Sequence, residues 1–173
     1  GFNMPGPIPK HTDGTFTEMT HTLVIAAATS VTRTLAFSDL IEPAVTIMSL
    51  RQQVVYDFQQ KTSDLLRGCR PDLSDFQWYA QKIAGVMGSW LQLASLRPLQ
   101  RSYNFIPPKI QENALLKIAA DNLQWSQEAY NYPGARSWRW YVSMWVPWHA
   151  LAVALAELCV CKNPAVMSKY WTV

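Results

Sequence analysis

The stretch from Trp138 to Cys161 constrains this chain more than any other. It carries four tryptophans and a long apolar run, with only Arg139, His149 and Glu157 as acidic or basic side chains. A helix that is apolar nearly all round must be covered on nearly all sides. One cover would be lipid, since Val142–Cys161 has the length of a bilayer span. Pro147, His149 and Glu157 fall inside that window, and a charged side chain near the bilayer centre costs about 3 kcal/mol. The sequence therefore predicts a buried central helix and no membrane span.

The rest of the chain reads as its cover. Charged residues make up 16% of the 173, against about 25% in an ordinary globular domain, so little polar surface is available. Apolar residues recur at helical spacing throughout, and no strand pair appears. Residues 1–14, rich in Pro and Gly, are expected to form an extended lead-in, and 15–173 a single all-α domain. Thr15 and Glu18 suggest a capping box for a first helix ending near Phe37. A second helix is expected over 44–67, with Arg51, Gln52, Gln59, Gln60 and Lys61 on its outer side. A third runs from Asp72–Asp75 to about Arg97, with Gly85 and Gly88 inside it marking either close helix contact or room for a ligand. Pro107-Pro108 opens a fourth helix ending near Tyr130. Asn131–Gly134 reads as a turn, the Trp-rich helix follows, and Asn163-Pro164 caps a short last helix. The expected architecture is an antiparallel bundle of about five long helices and a short C-terminal one.

The net charge is +3 and the basic residues are scattered; nucleic-acid binding calls for a dense basic stripe, so direct contact with nucleic acid is not expected. Cys69, Cys159 and Cys161 show no structural-zinc spacing, and His11 and His21 form no metal spacing with each other and are accompanied by no run of acidic ligands, so no metal and no cofactor are expected. The opening GFNMPGPIPK lacks the apolar core of a signal peptide. With an odd cysteine count, that points to an intracellular, reducing compartment.

Three motifs carry a resemblance. Thr17-Glu18-Met19-Thr20 opens an amphipathic helix after a Pro-rich lead-in. Trp78–Leu96 forms a long central helix. Arg139-Trp140 is followed by Trp148-His149-Ala150-Leu151-Ala152 and then Glu157-Leu158-Cys159. In these the chain resembles the C-terminal half of the fungus-specific regulatory domain, the middle homology region, of transcription factors with a binuclear zinc cluster. Pro147 departs from the pattern and should kink the helix just before His149. The six-cysteine DNA-binding module is not among these residues. The resemblance implies an all-helical sensing or modulating module, often one controlling secondary metabolism.

Three functions follow as expectations. The first is a regulator-derived module that binds an apolar small molecule or a protein partner. Its ligand wall would be Trp78, Tyr79, Met87, Trp90, Trp125, Trp138, Tyr141, Trp145 and Trp148, since aromatic residues gather at pocket walls. The second is an enzyme repurposed from that fold, a cofactor-free cyclase, pericyclase or isomerase acting on a polyene or terpenoid. It would work by shape, with His149, Tyr141 or Glu157 as polar catalysts. The third is a partner-dependent fragment whose bare apolar faces need a second copy of the chain or a helical partner.

Overall fold

A computed structural model describes residues 16–36, 47–98, 106–108, 110 and 113–171. Every element among them is helical: α1 (Glu18–Leu35), α2 (Met48–Leu65), α3 (Asp75–Leu96), α4 (Ala114–Asn131), a 3-10 turn over Pro133–Trp138, α5 (Arg139–Ser143), α6 (Trp148–Val160) and α7 (Pro164–Tyr170). The all-α expectation holds. The lead-in over 1–14, and Thr15 with it, lies outside the described residues.

The capping of α1 sits two residues later than the sequence suggested. Thr17 is the N-cap, and its backbone N–H donates to the Thr20 hydroxyl at 3.1 Å. Threonine is a poor helix former because its hydroxyl competes for backbone. Here Thr22, Thr29, Thr32 and Thr34 each donate to the carbonyl one turn back, so the competition stays inside the helix. α4 begins at Ala114, after Asn113, rather than at the proline pair; the backbone at 106–108 is not helical. Asn163 caps α7 as expected, its Oδ1 accepting from the Ala165 N–H at 3.0 Å, with Pro164 in the first turn.

The middle of the molecule belongs to α3. It packs on α1, α2 and α4, and touches the 3-10 turn and α6. Ten of its residues are buried, among them Tyr79, Ile83, Met87, Leu91 and Leu93. One core joins α1, α2 and the first turns of α3 through Val24, Ala28, Val55, Phe58 and Ile83. A second joins the end of α3 to α4 and α6 through Leu93, Leu115, Leu116, Ala150 and Val153. Burying each of the Val, Leu, Ile and Phe side chains among these contributes about 1.5–3 kcal/mol.

The Trp-rich stretch is not the single buried helix expected of it. Pro147 lacks a donor N–H, and the chain breaks rather than kinks there. The N–H groups of Met144 and Trp145 tighten onto Tyr141 and Val142, and α6 restarts at Trp148. The two apolar pieces meet at 89°, and no single helix among the described residues is long and apolar enough to cross a membrane. Trp140 is 64% exposed and Trp148 68%.

Two polar devices lock the core. Asn122 of α4 donates from Nδ2 to the Val86 carbonyl and to the Ser89 hydroxyl of α3, each at 2.8 Å. Arg51 of α2 was expected on the outer side but is 0% exposed. Its guanidinium donates to the carbonyls of Leu35 (3.0 Å), Ala94 (2.8 Å) and Ser95 (3.0 Å), the C-terminal ends of α1 and α3.

The two helical glycines divide the roles open to them. A Cβ at Gly85 would stand 3.0 Å from the Trp125 ring, so this glycine serves close helix packing. At Gly88 a Cβ would meet nothing within 4 Å, and the residue borders a groove of about 300 Å³ between α2, α3 and α4. Gly88→Ala is expected to raise stability by about 0.5–1 kcal/mol, the helix-propensity difference. Gly85→Ala should gain less than that or lose. Thermal unfolding of the pair checks both.

Candidate functional site

The nine residues expected to wall one cavity go to separate places. Met87 is core, and Trp90 packs half-buried against it. Trp78 stacks on Tyr132 at 4.0 Å with the Lys82 ammonium 5.5 Å from its ring, which ties α3 to the turn after α4. Trp125 fills the space over Gly85. Tyr79, Trp138 and Tyr141 share an aromatic groove; Trp145 lines a second, apolar one; Trp148 stands in solvent.

The three catalytic candidates do not converge either. His149 is buried, and its Nε2–H donates to the Arg97 carbonyl at 2.6 Å, fastening the start of α6 to the end of α3. Nδ1 is buried without a partner, and burial pulls the ring's pKa below its ordinary value. Glu157 lies two turns further along α6, about 12 Å by helix rise. Tyr141 belongs to the other side of the corner. His149 is thus a helix fastener.

What the corner does build is an apolar face. On α6 the side chains of His149, Ala150, Val153, Ala154 and Leu158 turn inward. The outward stripe is Trp148, Leu151, Ala152, Leu155, Ala156, Cys159 and Val160, every one exposed and none charged. These positions recur at the three- and four-residue spacing of one helix face. At its N-terminal end the stripe runs into a groove of about 520 Å³ between α4 and the corner, lined by Leu123, Tyr130, Trp145, Val146 and Leu151 among others. Met144 and Val146 add exposed apolar surface beside it. The charged residues that flank the corner and α6 in the sequence are mostly basic: Arg136, Arg139, Lys162 and Lys169, with Glu157 between them.

Across α5 lies the aromatic groove, about 270 Å³, shaped by His21, Phe76, Tyr79, Trp138, Trp140 and Tyr141. Tyr79 stacks on Trp138 at 5.4 Å, and His21 stands 5.8 Å from Tyr79 and 6.4 Å from Tyr141, centroid to centroid. Burial pushes both tyrosine pKa values up, that of Tyr79 helped by its neighbour Tyr141, and pulls that of His21 down. All three groups are therefore neutral at pH 7. His21, Phe76 and Trp140 were missed as ligand-site candidates from sequence. His21 could have been found, because it shares a helix face with the half-buried Ile25 and the buried Ala28.

Against this geometry the relatives are informative. The C6 finger domain transcription factor nscR of Trichophyton verrucosum is 30% identical over 166 residues, covering 94% of this chain and 24% of its own length. That of Arthroderma otae is 31% identical over 169 residues, 94% of this chain and 23% of its own. The C6 finger domain transcription factor adaR of Aspergillus niger is 34% identical over 121 residues, 69% and 15% respectively. The chain is homologous to part of the C6 finger domain transcription factors. It spans about a quarter or less of the length of these curated relatives. No family model and no solved structure matches it. The C6 finger homology agrees with the resemblance carried by the Trp148–Ala152 and Glu157–Cys159 motifs. These relatives have about three quarters or more of their length outside the matched region.

Proposed function

We propose that this segment is a docking module of a fungal transcription regulator, working inside the cell, which receives an amphipathic helix from elsewhere in a regulator chain. The observation that carries this is the uncharged, exposed stripe of α6, continuous with the groove at Trp145 and Leu151. A stripe of that kind on one helix face is the shape that helix-in-groove recognition uses, and exposed apolar patches rimmed by polar residues mark interaction sites. Length supports the choice of occupant: the C6 finger relatives carry about three quarters of their residues outside the matched region. Charge supports its chemistry: the segments flanking α6 in the sequence carry Arg136, Arg139, Lys162 and Lys169, which favours acidic flanks on the arriving helix. The scattered basic residues fit a protein partner better than nucleic acid.

A synthetic leucine-rich helix with glutamate flanks is the test ligand. It should form a one-to-one complex by light scattering and shift Trp148 emission to the blue. Leu155→Glu should weaken binding at least about 30-fold, as a central interface position does, while thermal stability stays within about 0.5 kcal/mol because Leu155 is exposed. A symmetric dimer of the chain broken by Leu155→Glu would overturn this occupant. So would binding that is indifferent to the substitution, or none at all.

A further inference from the structure

The groove between α2, α3 and α4 shares no residue with the α6 stripe or with the groove beside that stripe. Its floor is one face of α3, where Gln81, Ala84, Gly85, Gly88 and Gln92 recur at helical spacing. A Cβ at Gly88 would meet nothing within 4 Å. Glycine weakens a helix there against alanine, and no packing neighbour requires it, so the open floor itself asks for an explanation. Trp125 of α4 forms part of one wall, its ring held over Gly85 at 3.0 Å from where a Cβ would stand. Asp121 lies one turn before it, and Gln59 and Ser63 line the α2 side. None of Gln59, Ser63, Gln81, Gln92 and Asp121 is buried, so a guest reaches them all. Their side chains make no hydrogen bond or ion pair with another described residue.

These five groups come from three helices, and so surround a guest instead of reading one of its edges. Amides and hydroxyls donate and accept, and a carboxylate accepts. A wholly apolar guest would strip water from them and return nothing. Among the described residues lining the groove Asp121 alone is charged, so an anionic guest would meet like charge with no cation to hold it. The groove's volume of about 300 Å³ stands at the lower end of small-molecule pockets, which limits the guest to one or two rings. We infer that this groove binds a neutral mono- or disaccharide. A sugar carries hydroxyls around its whole rim, each donor and acceptor together, and an apolar C–H face to lie on the electron-rich Trp125 ring. Two of its hydroxyls donate to the Asp121 carboxylate, the stronger kind of hydrogen bond, and the glutamine amides take others. The site is independent of the docking reading and would stand if that reading fell.

The probes are glucose, maltose and cellobiose, with glucose 6-phosphate and adenosine as counter-probes, each titrated into the intact chain while NMR follows the Trp125 indole N–H. At least one neutral sugar should shift that signal saturably, and both counter-probes should bind at least about fivefold more weakly. Asp121→Ala should weaken the best sugar about tenfold or more, the range for a hydrogen bond to a charged group, and Gln92→Ala about threefold to tenfold, the range for a neutral one. Gly88→Leu should abolish binding by filling the floor, yet melt at or above the parent temperature, because leucine favours helix. Should Gly88→Leu misfold, the two alanine variants, at positions that are not buried, carry the test. No response to any of the three sugars overturns the assignment, as does tighter binding of glucose 6-phosphate or adenosine. So does sugar binding that survives in folded Gly88→Leu, or that is indifferent to Asp121→Ala.

Discussion

Arg51→Met should cost about 3–5 kcal/mol of folding stability and lower the melting temperature by roughly 10 °C or more. The side chain is fully buried, and three of its N–H groups donate to carbonyls at the ends of two helices. Helix C-termini leave up to four carbonyls unsatisfied and concentrate partial negative charge there. A planar cation between two such ends answers both needs. Burial lowers its pKa, yet guanidinium stays charged in proteins. Methionine fills much of the volume but leaves the carbonyls of Leu35, Ala94 and Ser95 without this donor. Arg51→Lys keeps the charge as a single point and cannot reproduce the fork; it should recover less than half of the loss. The control is Gln52→Met, one residue along on the exposed side, expected within about 0.5 kcal/mol of the parent. Thermal or urea unfolding monitored by circular dichroism measures all three. An Arg51→Met variant that melts with the parent would mean that water replaces the guanidinium at no cost.

Helix identity was legible because apolar spacing and punctuation are local signals. Gly68 with Pro71, Asn163-Pro164 and Asn131–Gly134 each end or start something in the structure. Coverage was not legible, because it depends on which elements happen to arrive. The hydropathy of Trp138–Cys161 marks it as needing cover, and the sequence reading supplied that cover by placing it at the centre. In the folded chain α3 takes the centre and α6 keeps one apolar face bare. Arg51 misled for a related reason. Charge type suggested the surface, although its position four residues before Val55 and seven before Phe58 puts it on the buried stripe. Position should have outweighed type. Of the candidate site, the aromatic character of Tyr79, Trp138 and Tyr141 was visible. Their meeting with His21 was not, since it joins α1 to a turn more than a hundred residues later, and no local spacing encodes that.

Acid should destabilise this protein earlier than its carboxylates alone would require, and two histidines are the reason. His21 and His149 are both pulled by burial below their ordinary pKa, His149 only partly held up by its bond to the Arg97 carbonyl. In each ring Nδ1 is buried with nothing to accept a second proton's hydrogen bond. The unfolded chain takes up those protons near pH 6.5, while the folded chain resists until lower pH. Between the two pKa values the unfolded state therefore binds more protons, and stability rises with pH. Read downward, the contribution is complete above about pH 6.5 and is lost as pH falls toward the folded-state values. The limiting slope is about 1.4 kcal/mol per pH unit for each histidine. The ion pair of Lys82 with Glu128, which holds that carboxyl below its usual range, acts in the same direction but at lower pH, near carboxylate titration. The two phases separate by substitution. His149→Gln keeps a donor for the Arg97 carbonyl and removes one titration, so it should flatten the slope between pH 6.5 and 5 by up to half, as His21→Phe should independently. With both replaced, urea unfolding across that interval should become nearly independent of pH, and the remaining loss should begin only where Glu128 takes up its proton. A double variant that keeps the full slope would place the titrating groups elsewhere.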